Sequence, residues 1–568
     1  MVRIVLTASL LSALVAATPL KRRSETASGS STITASASRS SSSGSSRSSS
    51  DTIGLSVSDA YPPSNTLPNT SLFPPESVVG FQQATPTGLE PFAAETAAAW
   101  PTHNSIYPLT VPAPANGSDS FKIEENWGNL SPAFSVPSAH YGLDSASPRL
   151  PDQCSVTQVH LYFRHGARYP TSGSLPSAFA AKLHNASLVE GFKATNNLAF
   201  LEDWTYKLGS ELLTPFGRQQ DFMLGVAARN AYGALLNNFT EAGTLPVWRT
   251  QSQDRMVKTM LNFAGGFFGI PEYQESVNIE IGIEAPGYIN SGAPYESCPN
   301  ADKAYGSIGS KAAASFVEPY FNKTAARLDE CISGLNLTST DVTAMLQLCA
   351  YETVALGYSS FCPLFTDEEF RIFEQYYDIS FHGNNGFGSP VAAAQGLGYL
   401  QELVSRLNHT LISNFSMEVN STLDGSTATF PLNQSIYADA AHEVAICDAL
   451  TALNLTALAK SGAPSDTTLS TNHTFVAANV VPFATSLEIQ VAECSDMTPT
   501  KQIRFIVNDA VIPLTYKGCA QNENGFCAYE TVLDALIERI DEIDFAYDCT
   551  GNYTLPSYGQ VTNGRAPK

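Results

Sequence analysis

Val156-Thr157-Gln158-Val159-His160-Leu161-Tyr162-Phe163 runs directly into Arg164-His165-Gly166-Ala167-Arg168-Tyr169-Pro170. The first eight residues read as a strand, and Pro170 marks where regular structure stops. A histidine between two arginines at a strand end is electrostatically odd. Guanidiniums stay charged at any biological pH and disfavour a protonated imidazole beside them. A neutral histidine facing two guanidiniums suits attack on a phosphorus whose oxygens the arginines hold. The bland alternative is a strand end with solvated arginines and a satisfied histidine, so the rest of the chain has to decide.

The chain has 568 residues, 43% of them hydrophobic and 10% aromatic, which is ample for a large core. Acids outnumber bases by 53 to 31, for a net charge of −22. That balance argues against nucleic acid or an anionic membrane as partner, and any anion site must be a local island of arginine. Arg3, the apolar run Ile4 to Val15 and Ala16-Ala17 predict a secretory signal over 1–17. That run is too short to span a bilayer, and no later segment reaches 18 apolar residues. Ten cysteines and fourteen Asn-X-Ser/Thr sequons, Asn185 and Asn454 among them, agree with a secreted or cell-wall-associated, N-glycosylated chain. Lys21-Arg22-Arg23 reads as a processing site or a basic linker.

Residues 18–120 are rich in Ser, Pro and Thr and are predicted to be disordered, most clearly the serine tract 24–51. The globular part spans about 125–555, with a short tail at 556–568. Strands are predicted at Val156–Phe163, Glu488–Ala492 and Ile503–Asn508. Helices are predicted at Thr214–Asn237, Arg255–Phe268, Lys311–Asp329, Thr366–Tyr377, Gln395–Leu407, Glu443–Leu453 and Tyr529–Ile540. Strands near both ends and helices between them indicate an α/β core, about 150–175, 245–275 and 425–550. A helical part, about 176–244 and 276–410, interrupts it.

Two further segments carry chemistry. Trp248-Arg249-Thr250-Gln251-Ser252-Gln253-Asp254-Arg255 sets two more arginines before a helix. Tyr437-Ala438-Asp439-Ala440-Ala441-His442-Glu443 puts a second histidine beside a carboxylate at a strand-to-helix junction. Alone, Arg249 reads as a surface arginine and His442-Glu443 as a helix-cap pair. In this order after the first motif, those readings give way to a shared site.

With these segments, and with Leu213-Thr214-Pro215-Phe216-Gly217, Phe361-Cys362-Pro363-Leu364 and Gln395-Gly396-Leu397-Gly398-Tyr399, the chain resembles the histidine acid phosphatases, most closely the fungal phytase-like branch. The resemblance runs from about Trp127 to Cys549. It implies the histidine phosphatase fold, which is phosphoglycerate-mutase-like. In it, a large α/β domain with a central, mainly parallel sheet flanked by helices carries a smaller inserted α-helical domain. It further implies His165 as a nucleophile that becomes a phosphohistidine, with Arg164, Arg168, Arg249 and His442 binding phosphate, and no metal or cofactor. The family has His-Asp where this chain has His442-Glu443, so Glu443 stands in the place of the proton donor, with Asp439 as another candidate. The resemblance implies disulfides Cys154-Cys494, Cys298-Cys549, Cys349-Cys362 and Cys519-Cys527. Cys331 and Cys447 are left to pair with each other or to remain thiols.

Phytases of this branch carry lysines along the pocket rim. The corresponding stretches here, Thr171-Ser172-Gly173-Ser174, Asn196-Asn197, Glu202 and Glu374-Gln375, are neutral or acidic and would not concentrate a polyanion. The chain is therefore expected to be a secreted acid phosphatase acting broadly on small phosphate monoesters. A phytase of the 3-phytase type is the first alternative, and a non-catalytic cell-surface protein binding phosphate or inositol phosphates the second. Oligomeric state is left open.

Overall fold

The computed structural model describes residues 120–568 except positions 190, 415 and 521, together with 61–79 and positions 88, 89, 91, 109, 114, 115 and 117. The signal read at 1–17 and the serine tract at 24–51 lie outside the described residues.

The main sheet has eight strands: β1 (Cys154–Arg164), β2 (Val247–Gln251), β3 (Asn278–Gly282), β4 (Ile436–Ala441), β5 (Ser486–Cys494), β6 (Lys501–Val507), β7 (Ala510–Ile512) and β8 (Cys527–Ala528). Their order is β8-β6-β5-β1-β4-β2-β3, with β7 paired to β6. β1, β2, β3, β4 and β6 run one way, and β5, β7 and β8 the other. The result is a mixed sheet of mostly parallel strands flanked by helices, as the sequence leads one to expect.

Nine helices of ten residues or more flank it among the described residues. They are α1 (Leu175–Val189), α2 (Pro215–Tyr232), α3 (Asp254–Phe268), α4 (Ile308–Asp329), α5 (Ser339–Leu356), α6 (Asp367–Asn384), α7 (Ala392–Leu407), α8 (Glu443–Ala452) and α9 (Tyr529–Glu542). Side chains alternate across a strand, so Val159, Leu161 and Phe163 of β1 join Trp248 and Ala440 under α2 and α3. Phe163 stacks on Phe263 at 4.5 Å between ring centroids. Each such ring, fully buried, stabilises the fold by about 1.5–3 kcal/mol. Tyr162 faces the other side and stacks on Tyr399 of α7 at 3.9 Å.

Several boundaries differ from the sequence reading. β3 lies inside the stretch 276–410 read as helical, because it is short and was overshadowed by the helices around it. α2, read within the helical part, packs directly on the sheet. Its start was legible: Pro215 stands at N1, and the Thr214 hydroxyl accepts from the Gly217 N–H at 3.0 Å. α5 was missed because it is buried nearly all round and so shows no apolar stripe. Residues 61–79, within the span expected to be disordered, instead pack on the domain. Tyr61 stacks on Phe268, Phe73 is buried, and the Asn69 N–H donates to Asn278. The C-terminal tail is docked too, through Ala393 N–H to Gly564 O and Gly564 N–H to Phe387 O.

All four expected disulfides are formed, and Cys331 and Cys447 are free thiols. Among the described residues, no helix is long and apolar enough to cross a membrane.

Candidate active site

β1 and β4 are adjacent and parallel, with Arg164 opposite Ala441. The next residue of each strand, His165 and His442, therefore leaves the sheet at the same point. The His165 N–H donates to Ala441 O at 3.2 Å, and the two rings lie 5.6 Å apart. This carboxyl edge of parallel strands is where open α/β sheets place their ligands.

The loop after β1 is pressed against the start of α2. A Cβ on Gly166 would lie 2.2 Å from Gly217 O, and one on Gly217 would lie 1.9 Å from Ala167 O, so neither position tolerates a side chain. Ala167 N–H donates to Gln220 at 2.9 Å, and the buried Asp221 carboxyl accepts from Gly166 N–H and from Thr259. The loop is thereby held before any ligand arrives.

His165 is fully buried. Its Nδ1 is 2.8 Å from Gly166 O, which fixes the proton there and leaves Nε2 with its lone pair free. Burial, joined by Arg164 and Arg255, drives the imidazole well below its usual range despite the opposing pull of Glu443. It is a neutral base aimed into the site.

Glu443, the first residue of α8, reaches across three of these groups. Its Oε2 lies 3.1 Å from Arg164 Nε and 3.3 Å from His165 Nε2, and its Oε1 lies 3.6 Å from Arg168 Nη2. Burial pushes its carboxyl upward, but the Arg164 and Arg168 guanidiniums outweigh that and hold it well below the carboxylate range. Arg164 is anchored by Val481 O and Asn129 O and lies over the Phe483 ring. Arg168 donates to Tyr169 O at 3.0 Å and Thr171 Oγ1 at 3.3 Å, with the Tyr351 hydroxyl alongside.

The third arginine of the site is Arg255, in the first turn of α3, and not Arg249. Arg255 pairs with Glu211 at 3.2 Å and approaches His442 Nδ1 at 3.5 Å. His442 Nε2 meets Glu284 at 3.0 Å, and Tyr295 and Gln253 donate to the same carboxylate. Arg249 instead pairs with Glu280 at 2.9 Å, Glu402 at 3.1 Å and Asp424 at 3.2 Å. The reason is register. Arg249 lies opposite Asp439, two residues below the level of Arg164 and Ala441, or about 7 Å deeper in the sheet. Its side chain lies under α7 and cannot serve the edge. Asp439, the other donor candidate, pairs with Arg406 in that deeper cluster.

The rim reading also changes. Glu374 and Gln375 are buried in α6, where Glu374 accepts from Gly128 and Ala478 N–H and Gln375 bonds to Ser465, Thr468 and Ser470. Thr171 does border the site through Arg168, and Ser172 N–H donates to Glu211 at 2.9 Å. Sequence reasoning missed Glu211, Glu284 and Tyr351. Glu284 follows β3, a strand that the sequence reading placed in the helical part, so none of the three had a signal there.

Arg164 Nη2, Arg168 Nε, Arg255 Nε and His165 Nε2 are buried with no hydrogen-bond partner among the described residues. His165, His442 and Glu443 bring donor atoms within 4.8 Å of one another, but three guanidiniums around them make the site one for an anion.

The family described as "Histidine phosphatase superfamily (branch 2)" matches residues 155–508. Phytase A of Aspergillus oryzae is 31% identical over 433 residues, covering 73% of this chain and 88% of that protein. Phytase A of Penicillium oxalicum is 31% identical over 446 residues, covering 75% and 91%. Among solved structures, the phytase from D. castellii has a TM-score of 0.62 at 24% identity, covering 77% of this chain and 90% of that one.

Proposed function

We propose that this chain, which belongs to branch 2 of the histidine phosphatase superfamily, hydrolyses phosphate monoesters by way of a phosphohistidine on His165. The observation that carries the residue roles is the free, unprotonated Nε2 of His165 beside unpartnered guanidinium nitrogens. Arg164, Arg168 and Arg255 grip the equatorial oxygens, with His442 as a further donor, so that charge developing on them is stabilised without reorganisation. Nε2 attacks phosphorus, the ester P–O bond breaks, and Glu443 gives a proton to the departing oxygen. Gly166 O steadies the Nδ1–H as the ring becomes cationic. Water then attacks the phosphohistidine, Glu443 takes its proton, and the P–N bond breaks to free inorganic phosphate.

Broad action on small monoesters is favoured by the charge around the seat. Three guanidiniums are already matched by Glu443, Glu211 and the His442-bound Glu284, and the bordering Thr171–Ser174 adds no cation. Phytase action is the second reading, favoured by the relatives that bear that name. The disulfides fit export, and the predicted signal and sequons make a secreted glycoprotein the reading for location.

The test is phosphate release by the purified protein from an aryl phosphate and from inositol hexakisphosphate, across about pH 3 to 7, beside His165→Ala. Release lost in His165→Ala and faster on the aryl ester supports the reading. Far faster turnover of the hexakisphosphate makes the enzyme a phytase. Binding of phosphate with no release at any pH makes it a non-catalytic receptor.

A further inference from the structure

Glu443 occupies the place that the substrate needs. Its two carboxylate oxygens span Arg164, His165 and Arg168, the groups that would hold and attack a phosphate. His165 has no exposed surface, whereas the side chains of Glu443 and Arg168 keep 11% and 10% of theirs, so these two form the open side of the seat. A carboxylate is planar with two oxygens and mimics one edge of a phosphate. The start of α8, with its unpaired N–H groups, favours either anion. The two methylenes of the glutamate give its carboxylate the reach to span Arg164, His165 and Arg168 from the first residue of α8.

We propose that Glu443 is a built-in competitor of phosphate, and that the ester enters as its monoanion, handing its proton to Glu443 as it takes over the arginines. The inference rests on the reading of His165 as nucleophile and deepens it. The exchange balances: ROPO3H⁻ plus the Glu443 carboxylate becomes ROPO3²⁻ on the guanidiniums plus the Glu443 carboxylic acid. The same proton then goes to the ester oxygen as the P–O bond breaks. In the second step the proton of the attacking water passes through Glu443 to the product, which leaves as H2PO4⁻ while the carboxylate returns to Arg164 and Arg168. Overall, ROPO3H⁻ and water give ROH and H2PO4⁻.

The groups facing Glu443 account for the direction of transfer. Arg164 and His165 come from β1 and its loop, Arg168 from the same loop, Tyr351 from α5, and His442, paired with Glu284, from the end of β4; Arg255 and Glu211 lie one contact further out. Paired with Arg164 and Arg168, Glu443 is held ionised by their guanidiniums. Once a phosphate dianion takes those guanidiniums, Glu443 has lost its cations and gained an anion, and both changes favour its acid form. A carboxylate that is a poor proton source while paired with Arg164 and Arg168 thus becomes a general acid only when substrate takes those partners.

The test is calorimetry of inorganic phosphate binding to the full chain, in buffers of different ionisation heat, for wild type and Glu443→Gln. For wild type, proton uptake is expected to be near zero where the ligand is a monoanion. It should rise to about one proton where the ligand is a dianion, with affinity falling about tenfold per pH unit there. The Gln variant should differ by one proton throughout, releasing one at acid pH and none above, and should bind the dianion at least tenfold more tightly than wild type does. Wild-type uptake that stays near zero at the higher pH overturns the proposal without any variant. Identical profiles for wild type and Gln overturn it as well. Turnover of an aryl phosphate by the same wild-type sample separates the two layers. If turnover is present and the proton count fails, only this inference falls; if no ester is hydrolysed, the reading of His165 falls.

Discussion

At the carboxyl edge of β1 and β4, Arg164, Arg168 and Arg255 face Glu443, Glu211 and the His442–Glu284 pair. Two residues deeper in the same sheet, Arg249 and Arg406 face Glu280, Glu402, Asp424 and Asp439. Both clusters are buried, and both are built from guanidinium and carboxylate. They differ in what is left over. Among the described residues, the unpartnered atoms at the edge include guanidinium nitrogens and the imidazole Nε2, whereas in the deeper cluster they include Arg406 Nε, Glu280 Oε2 and Asp424 Oδ2. The first cluster has hydrogen-bond donors to spare, and the second has mainly acceptors to spare. Arginine in a promising motif is therefore not enough to mark a phosphate ligand; the donors that remain free after the local acids are served decide.

The largest expected effect is at the nucleophile. His165→Ala should lower kcat on an aryl phosphate by more than about 10^4-fold, because removing a covalent nucleophile collapses the pathway that the other groups serve. Burst-free residual release at wild-type speed would show that another group attacks.

The next experiment opposes the clusters directly. Arg255→Ala removes a guanidinium from the seat and should cost about 10²- to 10³-fold in kcat/KM, comparable to losing one preorganised oxyanion donor. Its melting temperature should move little, since the ion-pair partner it strands, Glu211, is partly exposed and also bonded to Ser172 N–H. Arg249→Ala should do the reverse. It strands Glu280, Glu402 and Asp424 in the interior and should destabilise the fold by about 3–5 kcal/mol, while the folded fraction keeps kcat/KM within a few-fold. Equal losses of activity in both variants would erase the distinction between the clusters.

This pair also shows what could be read in the sequence. The segment Trp248 to Arg255 was recognisable as part of the site, but which arginine serves it depends on where β2 ends. Trp248 packs on one face, Arg249 therefore points to the other, and Gln251 closes the strand before Arg255 begins its helical turn. That is a register fact, set by the pairing of Arg249 with Asp439, and one residue's slip would reverse it. Arg164, His165 and Arg168 needed no such knowledge, because strand end and motif coincide. Glu211 and Tyr351 could not be found at all, since they reach the site by tertiary packing from a loop and from a helix buried all round.

The deeper cluster makes its own prediction in pH. Burial raises the Asp424 carboxyl from 3.8 to about 8, and its neighbours Glu402 and Glu280 add to the rise against the pull of Arg249. The folded state thus binds this proton more tightly than the unfolded chain does. Stability from this source is fully present below about pH 4 and is lost progressively as pH rises toward about 8. Asp424→Asn keeps the shape and removes the titration, so the decline of melting temperature across that window should flatten. A decline as steep in the variant as in wild type would place the acid preference elsewhere.

The smallest effect concerns how strongly the edge cluster draws a polyanion. Glu211 offsets Arg255 and also accepts from Ser172 N–H, and its backbone is held at a positive φ of 65°. Glu211→Gln retains the acceptor for Ser172 but leaves one more unit of positive charge beside Arg168 and Arg255. At this partly exposed position the gain is about 1 kcal/mol for each additional substrate phosphate it meets. A small aryl ester has one phosphate, already seated, and inositol hexakisphosphate has others at the rim. The ratio of kcat/KM for the hexakisphosphate over the aryl ester should therefore rise about three- to tenfold in Glu211→Gln at low ionic strength, and most of that gain should vanish in salt. An unchanged ratio would mean that the rim is set by groups other than Glu211, and that the acid count around the seat does not govern which esters the enzyme prefers.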